Sequence, residues 1–161
     1  MSLLDSVQQP GDLKNLSLDE LTTLAAEMRR RIFDAVAKNG GHLASNLGVV
    51  ELTIALHYVY NFGPYPQGPD RLLFDVGHQS YPHKLITGRG GEFDNLRKKN
   101  SVGGFPSPAE SPYDLFAVGH AGTAISTASS RPHSSMTNGS LTAMQTISST
   151  PALASAGASS S

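Results

Sequence analysis

The sequence predicts an α/β protein in which helices alternate with short buried strands, forming an incomplete parallel sheet covered on both faces. Three observations predict it. Residues 18–38 repeat apolar side chains at helical spacing behind a helix-start signal. Two short apolar runs, Leu72–Val76 and Tyr113–Val118, each lie between a proline and a glycine, as buried strands do. About 36 residues separate the runs, enough for the crossover that parallel strands need.

The elements follow in order. Ser17 and Glu20 form a capping box in which hydroxyl and carboxylate satisfy two free backbone N–H groups, with Leu16 and Leu21 flanking it as a hydrophobic staple. Leu18, Leu21, Leu24, Met28, Ile32 and Val36 then mark one face of a helix over 18–38, closed by Lys38 and Gly40. A polar bridge, His42 to Asn46, leads to a second helix over 48–60. Its apolar residues (Val49, Val50, Leu52, Ile54, Leu56, Val59) point all ways, which implies burial against more than one neighbour. Gly63–Pro69 is a loop by its prolines and glycines. The first strand follows, then a short helix at 92–99 and the second strand.

Composition bounds the function. Twelve basic and thirteen acidic residues give a net charge of −1, so no bulk attraction draws the chain to nucleic acid or an anionic membrane. The absence of cysteine excludes disulfides, thiolate metal sites and cysteine nucleophiles. No signal peptide and no membrane span is visible, which makes cytoplasmic the expected location. Every Asp and Glu lies at or before Asp114, and after Ala128 the single charged residue is Arg131. Residues 129–161 hold eleven Ser, four Thr and five Ala, too little apolar surface to offset chain entropy. The chain is therefore expected to divide into an ordered part, 1–128, and a disordered low-complexity tail, 129–161.

Candidate chemistry rests on histidine. Phe74-Asp75-Val76-Gly77-His78 and Phe116-Ala117-Val118-Gly119-His120 share one pattern, each placing Gly-His at the carboxyl end of a predicted strand, the edge where open α/β sheets bind ligands. Two imidazoles converging on an anion and two plain strand ends are equally good readings. His42 is a candidate acid–base group, since imidazole titrates near neutrality; the alternative is a loop histidine beside Ser45 or Asn46 as a helix cap. His57 reads as a half-buried helix residue. Arg97, Lys98 and Lys99, with Lys84 and Arg89, read as a solvated basic surface or as a meeting point for a phosphorylated substrate. No P-loop, dinucleotide fingerprint or nucleophile elbow occurs.

The residues taken together resemble the 1-deoxy-D-xylulose-5-phosphate synthase family. The resemblance is carried by Gly41–Thr53, by Asp75–Arg89, and by Gly103-Gly104-Phe105-Pro106, Glu110-Ser111, Tyr113-Asp114 and Val118-Gly119-His120, over about residues 1–128. It implies the N-terminal part of a thiamine-diphosphate-binding, transketolase-like domain with a doubly wound parallel sheet. It further implies a transferase that condenses pyruvate with glyceraldehyde 3-phosphate, with loss of CO2, as a homodimer using thiamine diphosphate and Mg2+, in isoprenoid, thiamine and pyridoxal biosynthesis. On that resemblance His42 is the catalytic proton-transfer histidine, and His78, Gly119, His120 and Ala121 contact the cofactor. Ala121-Gly122 stands where Ser-Ser is commoner, which leaves a backbone contact but no hydroxyl.

The resemblance ends at Ala128. The Gly-Asp-Gly segment and downstream Asn that hold magnesium in the family have no counterpart, so no metal residue is assigned. The glutamate that activates the cofactor is missing too, and no carboxylate follows Asp114. Two strands fall short of the five or six of an open α/β sheet. The expectation is an inactive N-terminal fragment, truncated or frame-shifted, with a non-native tail. Its alternatives are the N-terminal half of a split transketolase-type enzyme and a non-catalytic chain that associates with a full-length synthase.

Overall fold

The computed structural model describes residues 2–119 and the backbone of residues 141–144. Its first long element is α2, Leu18–Asn39, preceded by α1, Leu3–Ser6, and a 3-10 turn, Pro10–Asn15. The capping box forms as the sequence requires: the Ser17 amide donates to Glu20 Oε2 at 2.8 Å, and the Glu20 amide to Ser17 Oγ at 3.3 Å. The buried face of α2 is Leu24, Ala25, Met28, Ile32 and Ala35, while Leu18 is exposed because the first turn runs past the packed region. Gly40 closes the helix at φ 73°, its N–H reaching the Val36 carbonyl.

The second predicted helix is two. Short α3, Ala44–Leu47, precedes α4, Val50–Val59. The buried side of α4 is mixed: Val50, Thr53, Ile54 and His57 are buried, whereas Leu52 and Val59 reach solvent. A helix whose apolar residues lie all round carries no periodicity from which to choose its inner face. His57 is thereby fully buried rather than half-buried. Leu24, Met28 and Ile32 of α2, Val50 and Ile54 of α4, and Tyr81, Leu85, Ile86, Phe93, Leu96 and Val102 from later segments make the main core. Val49, Phe62, Leu72 and Phe74 make a smaller one against the first strand.

That strand is β1, Arg71–Phe74. It pairs in parallel with β2, Leu141–Met144, Arg71 opposite Leu141 and Phe74 opposite Met144. The parallel ladder expected of an α/β protein is present, but its second strand is not the predicted one. Tyr113–Val118 is irregular: the Asp114 amide closes a turn on the Ser111 carbonyl at 3.0 Å, and the Asp114 side chain is buried among charges, so this backbone cannot feed a ladder. The expected tail, 129–161, lies outside the described residues except for β2. After β1 come a 3-10 turn, Gly77–Gln79, then α5, Tyr81–Lys84, and a π-type turn, Leu85–Arg89. A third 3-10 turn, Gly90–Asn95, takes the place of the helix expected at 92–99, which Arg97 ends by taking φ 64°.

Candidate active site

Two backbone segments meet beyond the carboxyl end of β1. One is the extended bridge from Gly40 to Leu43; the other is the Gly77–Gln79 turn. The His42 and His78 rings lie edge to face, centroids 5.5 Å apart at 74°. Phe105 packs on His42 from another side at 5.3 Å and 61°, and the Tyr81 ring lies 6.3 Å away. Gly41 takes φ +146°, and a Cβ there would sit 2.7 Å from the Tyr81 hydroxyl; a side chain at this position would displace the bridge that carries His42.

Asn46 holds the two segments together. Fully buried on α3, it donates from Nδ2 to the His42 carbonyl at 2.6 Å and to the His78 carbonyl at 2.8 Å. Its Oδ1 accepts the Tyr81 amide at 2.9 Å. The sequence offers Asn46 as a helix cap; its work is instead to join three stretches of chain.

The two Gly-His ends are brought together. The Gly77 amide donates to the Gly119 carbonyl at 2.9 Å, and a Cβ on Gly77 would meet the Val118 carbonyl oxygen at 2.5 Å. His78 and Gly119 therefore lie on neighbouring backbones. His120 and Ala121 lie outside the described residues. Burial pushes the Tyr81 hydroxyl pKa up, with the adjacent His42 backbone and the Arg97 charge acting against it.

Behind this face lies a second constellation that sequence reasoning missed. Lys84 and Arg89, expected on a solvated surface, are buried. Lys84 Nζ pairs with Glu110 Oε1 at 2.5 Å, and Arg89 with both Glu110 (2.7 Å) and Asp114 (2.8 and 3.0 Å). Burial raises the Asp114 carboxyl, but the neighbouring His83 and Arg89 reverse this and hold it well below the ordinary carboxylate range. Burial lowers the Lys84 ammonium, opposed by Glu110. His83 Nε2 faces Asp114 Oδ1 at 3.2 Å, and His83 Nδ1 faces His57 Nε2 at 2.9 Å. His57 Nδ1 meets the Thr53 carbonyl at 2.8 Å. Burial brings the His57 pKa down to about 3, and lowers that of His83 against the pull of Asp114.

Among the described residues no group of three or more His, Asp or Glu can hold a metal ion, and no helix is long and apolar enough to cross a membrane. The Ser80 hydroxyl, two positions after His78, is buried without a hydrogen-bond partner.

A parallel strand pair packed with helices, with two histidines beyond the carboxyl end of its first strand, places the chain in the α/β class. The family model described as 1-deoxy-D-xylulose-5-phosphate synthase matches residues 4–158. The chain belongs to that family. The synthase of Chlamydia pneumoniae is 55% identical over 127 residues, 78% of this chain and 19% of its own length. Those of Dictyoglomus thermophilum and Thioalkalivibrio sulfidiphilus are each 56% identical over 126 residues, again 78% of this chain, and 20% and 19% of their own lengths. The chain thus spans about a fifth of the length of the curated relatives it matches. The family model reaches further along the chain than the 1–128 of the sequence resemblance, whereas the pairwise similarity extends over about that many residues.

Proposed function

We propose that the face formed by His42 and His78 is the part of a 1-deoxy-D-xylulose-5-phosphate synthase site that receives thiamine diphosphate. The observation that carries the reading is the meeting of His42, His78 and Gly119 at the end of β1, where the chain holds two imidazoles on backbones tied by Asn46 and by the Gly77–Gly119 hydrogen bond. His42 would move a proton at the reacting centre. His78 and the Gly119 backbone, continued by His120 and Ala121, would hold the cofactor, and Phe105 would keep water from the His42 ring. The cofactor supplies a nucleophilic thiazolium carbon. In the family reading the substrates are pyruvate and glyceraldehyde 3-phosphate, the assembly is a homodimer within a doubly wound sheet domain, and the location is cytoplasmic.

The residues fit magnesium poorly. Among the described residues Glu110 and Asp114 are already taken up by Lys84 and Arg89, and the sequence carries no carboxylate beyond Asp114. The reading is tested by titrating thiamine diphosphate into the chain and following the histidine ring signals by NMR. Saturable shifts at His42 and His78, lost in His78→Ala, with no product from pyruvate and glyceraldehyde 3-phosphate, are expected. Unmoved ring signals would overturn the site assignment. An affinity raised tenfold or more by magnesium would overturn the metal argument (about 1.4 kcal/mol).

A further inference from the structure

Residues 102–107 belong to no helix or strand, so their backbone polar groups must find partners elsewhere. They find them in charged side chains, buried Lys84 and Asp114 and partly buried Glu110, at alternate residues. The Gly103 amide donates to Glu110 Oε2 at 2.7 Å, Lys84 Nζ donates to the Phe105 carbonyl at 2.9 Å, and the Ser107 amide donates to Asp114 Oδ2 at 2.8 Å. Arg89 links the two carboxylates that make the outer contacts. A side-chain row thus takes the place of the neighbouring strand this segment lacks.

We propose that Lys84, Arg89, Glu110 and Asp114 are positioning residues that grip the backbone of 103–107 and so set Phe105 against His42. The proposal rests on the reading of His42 as the site's proton-transfer group. Burying three charges beside a partly buried fourth is costly, and an ion pair of this kind is no general route to stability. Two cations oppose two anions, so the cluster's formal charge balances and each carboxylate accepts from both a cation and a backbone amide. The residues gripped are also the ones that reach the site: the Phe105 ring lies 5.3 Å from that of His42. Gly103 stands close to its acceptor: a Cβ there would lie 3.1 Å from Glu110 Oε2, so the carboxylate would have to shift by a few tenths of an ångström.

NMR on the full chain, without cofactor or substrate, tests this. In the unaltered chain, couplings across the hydrogen bonds should link the Gly103 amide to the Glu110 carboxylate and the Ser107 amide to that of Asp114; their absence overturns the proposal without any variant. In Glu110→Ala the Gly103 amide should exchange about tenfold faster while α2 core amides keep their rates. The His42 ring protons should also lose the shift that Phe105 imposes. Glu110→Gln, which keeps an acceptor, should restore most of both signals. Phe105→Leu should remove the His42 shift with Gly103 still protected. Equal acceleration of loop and α2 amides, or an unmoved His42 ring in Glu110→Ala, would show a plain stability role and sink the idea. Because nothing is bound in these measurements, failure of the cofactor titration leaves their outcome untouched, and the reverse holds.

Discussion

Asn46 shows how much one side chain can fix. From a fully buried position it meets three backbone groups from segments four, 32 and 35 positions away. Asn46→Ala strands two carbonyls and an amide, and should cost about 3 kcal/mol of stability in urea unfolding. It should also weaken the NOE between the His42 and His78 rings. Neither effect was legible in the sequence, where Asn before a helix has a sufficient local explanation as a cap. Lys84 and Arg89 were misread for a related reason: a run of basic residues looks solvated until the fold supplies Glu110 and Asp114 from 21 to 26 positions on. The matched Gly-His pattern paired His78 with His120. Gly77 does bond Gly119, but only the first copy follows a strand among the described residues and His120 lies outside them, while the contact of His42 with His78 had no signal in that pattern.

At the scale of elements, α2 was legible because everything that starts it is local. Ser17 and Glu20 lie three residues apart and bond each other, and the apolar repeat that follows is helical. Ser17→Ala should therefore lower stability by about 1 kcal/mol, read as a lower midpoint in thermal or urea unfolding at unchanged urea dependence. The predicted strand at 113–118 failed because its apolar residues satisfied the pattern while Asp114 did not: a buried, ion-paired carboxylate anchors this stretch as a turn. Its replacement, β2, lies in a stretch rich in Ser, Thr and Ala, where four residues, Leu141–Met144, give no signal that distance in sequence would not drown. The inner face of α4 was likewise undecidable, because the residues that choose it, Thr53 and His57, act through hydrogen bonds rather than through apolarity.

For the whole molecule, acid is the informative variable. The His57 pKa is about 3 in the fold, against roughly 6.5 in an unfolded chain. The unfolded state therefore takes up the proton first. Stability is full above about pH 6.5 and falls as the pH drops toward 3, by at most about 1.4 kcal/mol per unit from this group. Asp114, held low, acts in the same direction at more acid pH, from about 3.8 downward. Urea unfolding at pH 7 and pH 5 should show the loss, and His57→Gln should flatten the slope; equal stabilities at the two pH values would refute it. The same row of groups has a stoichiometry. From the Thr53 carbonyl through His57 and His83 to the Asp114 carboxylate there are three contacts, and both ends can only accept. Two neutral imidazoles carry two protons between them. At neutral pH the row is one proton short, so one of its three contacts goes without a proton, and the tautomer of each ring decides which. A proton that acid delivers to the row completes the missing link while giving the balanced cluster beside it a surplus positive charge.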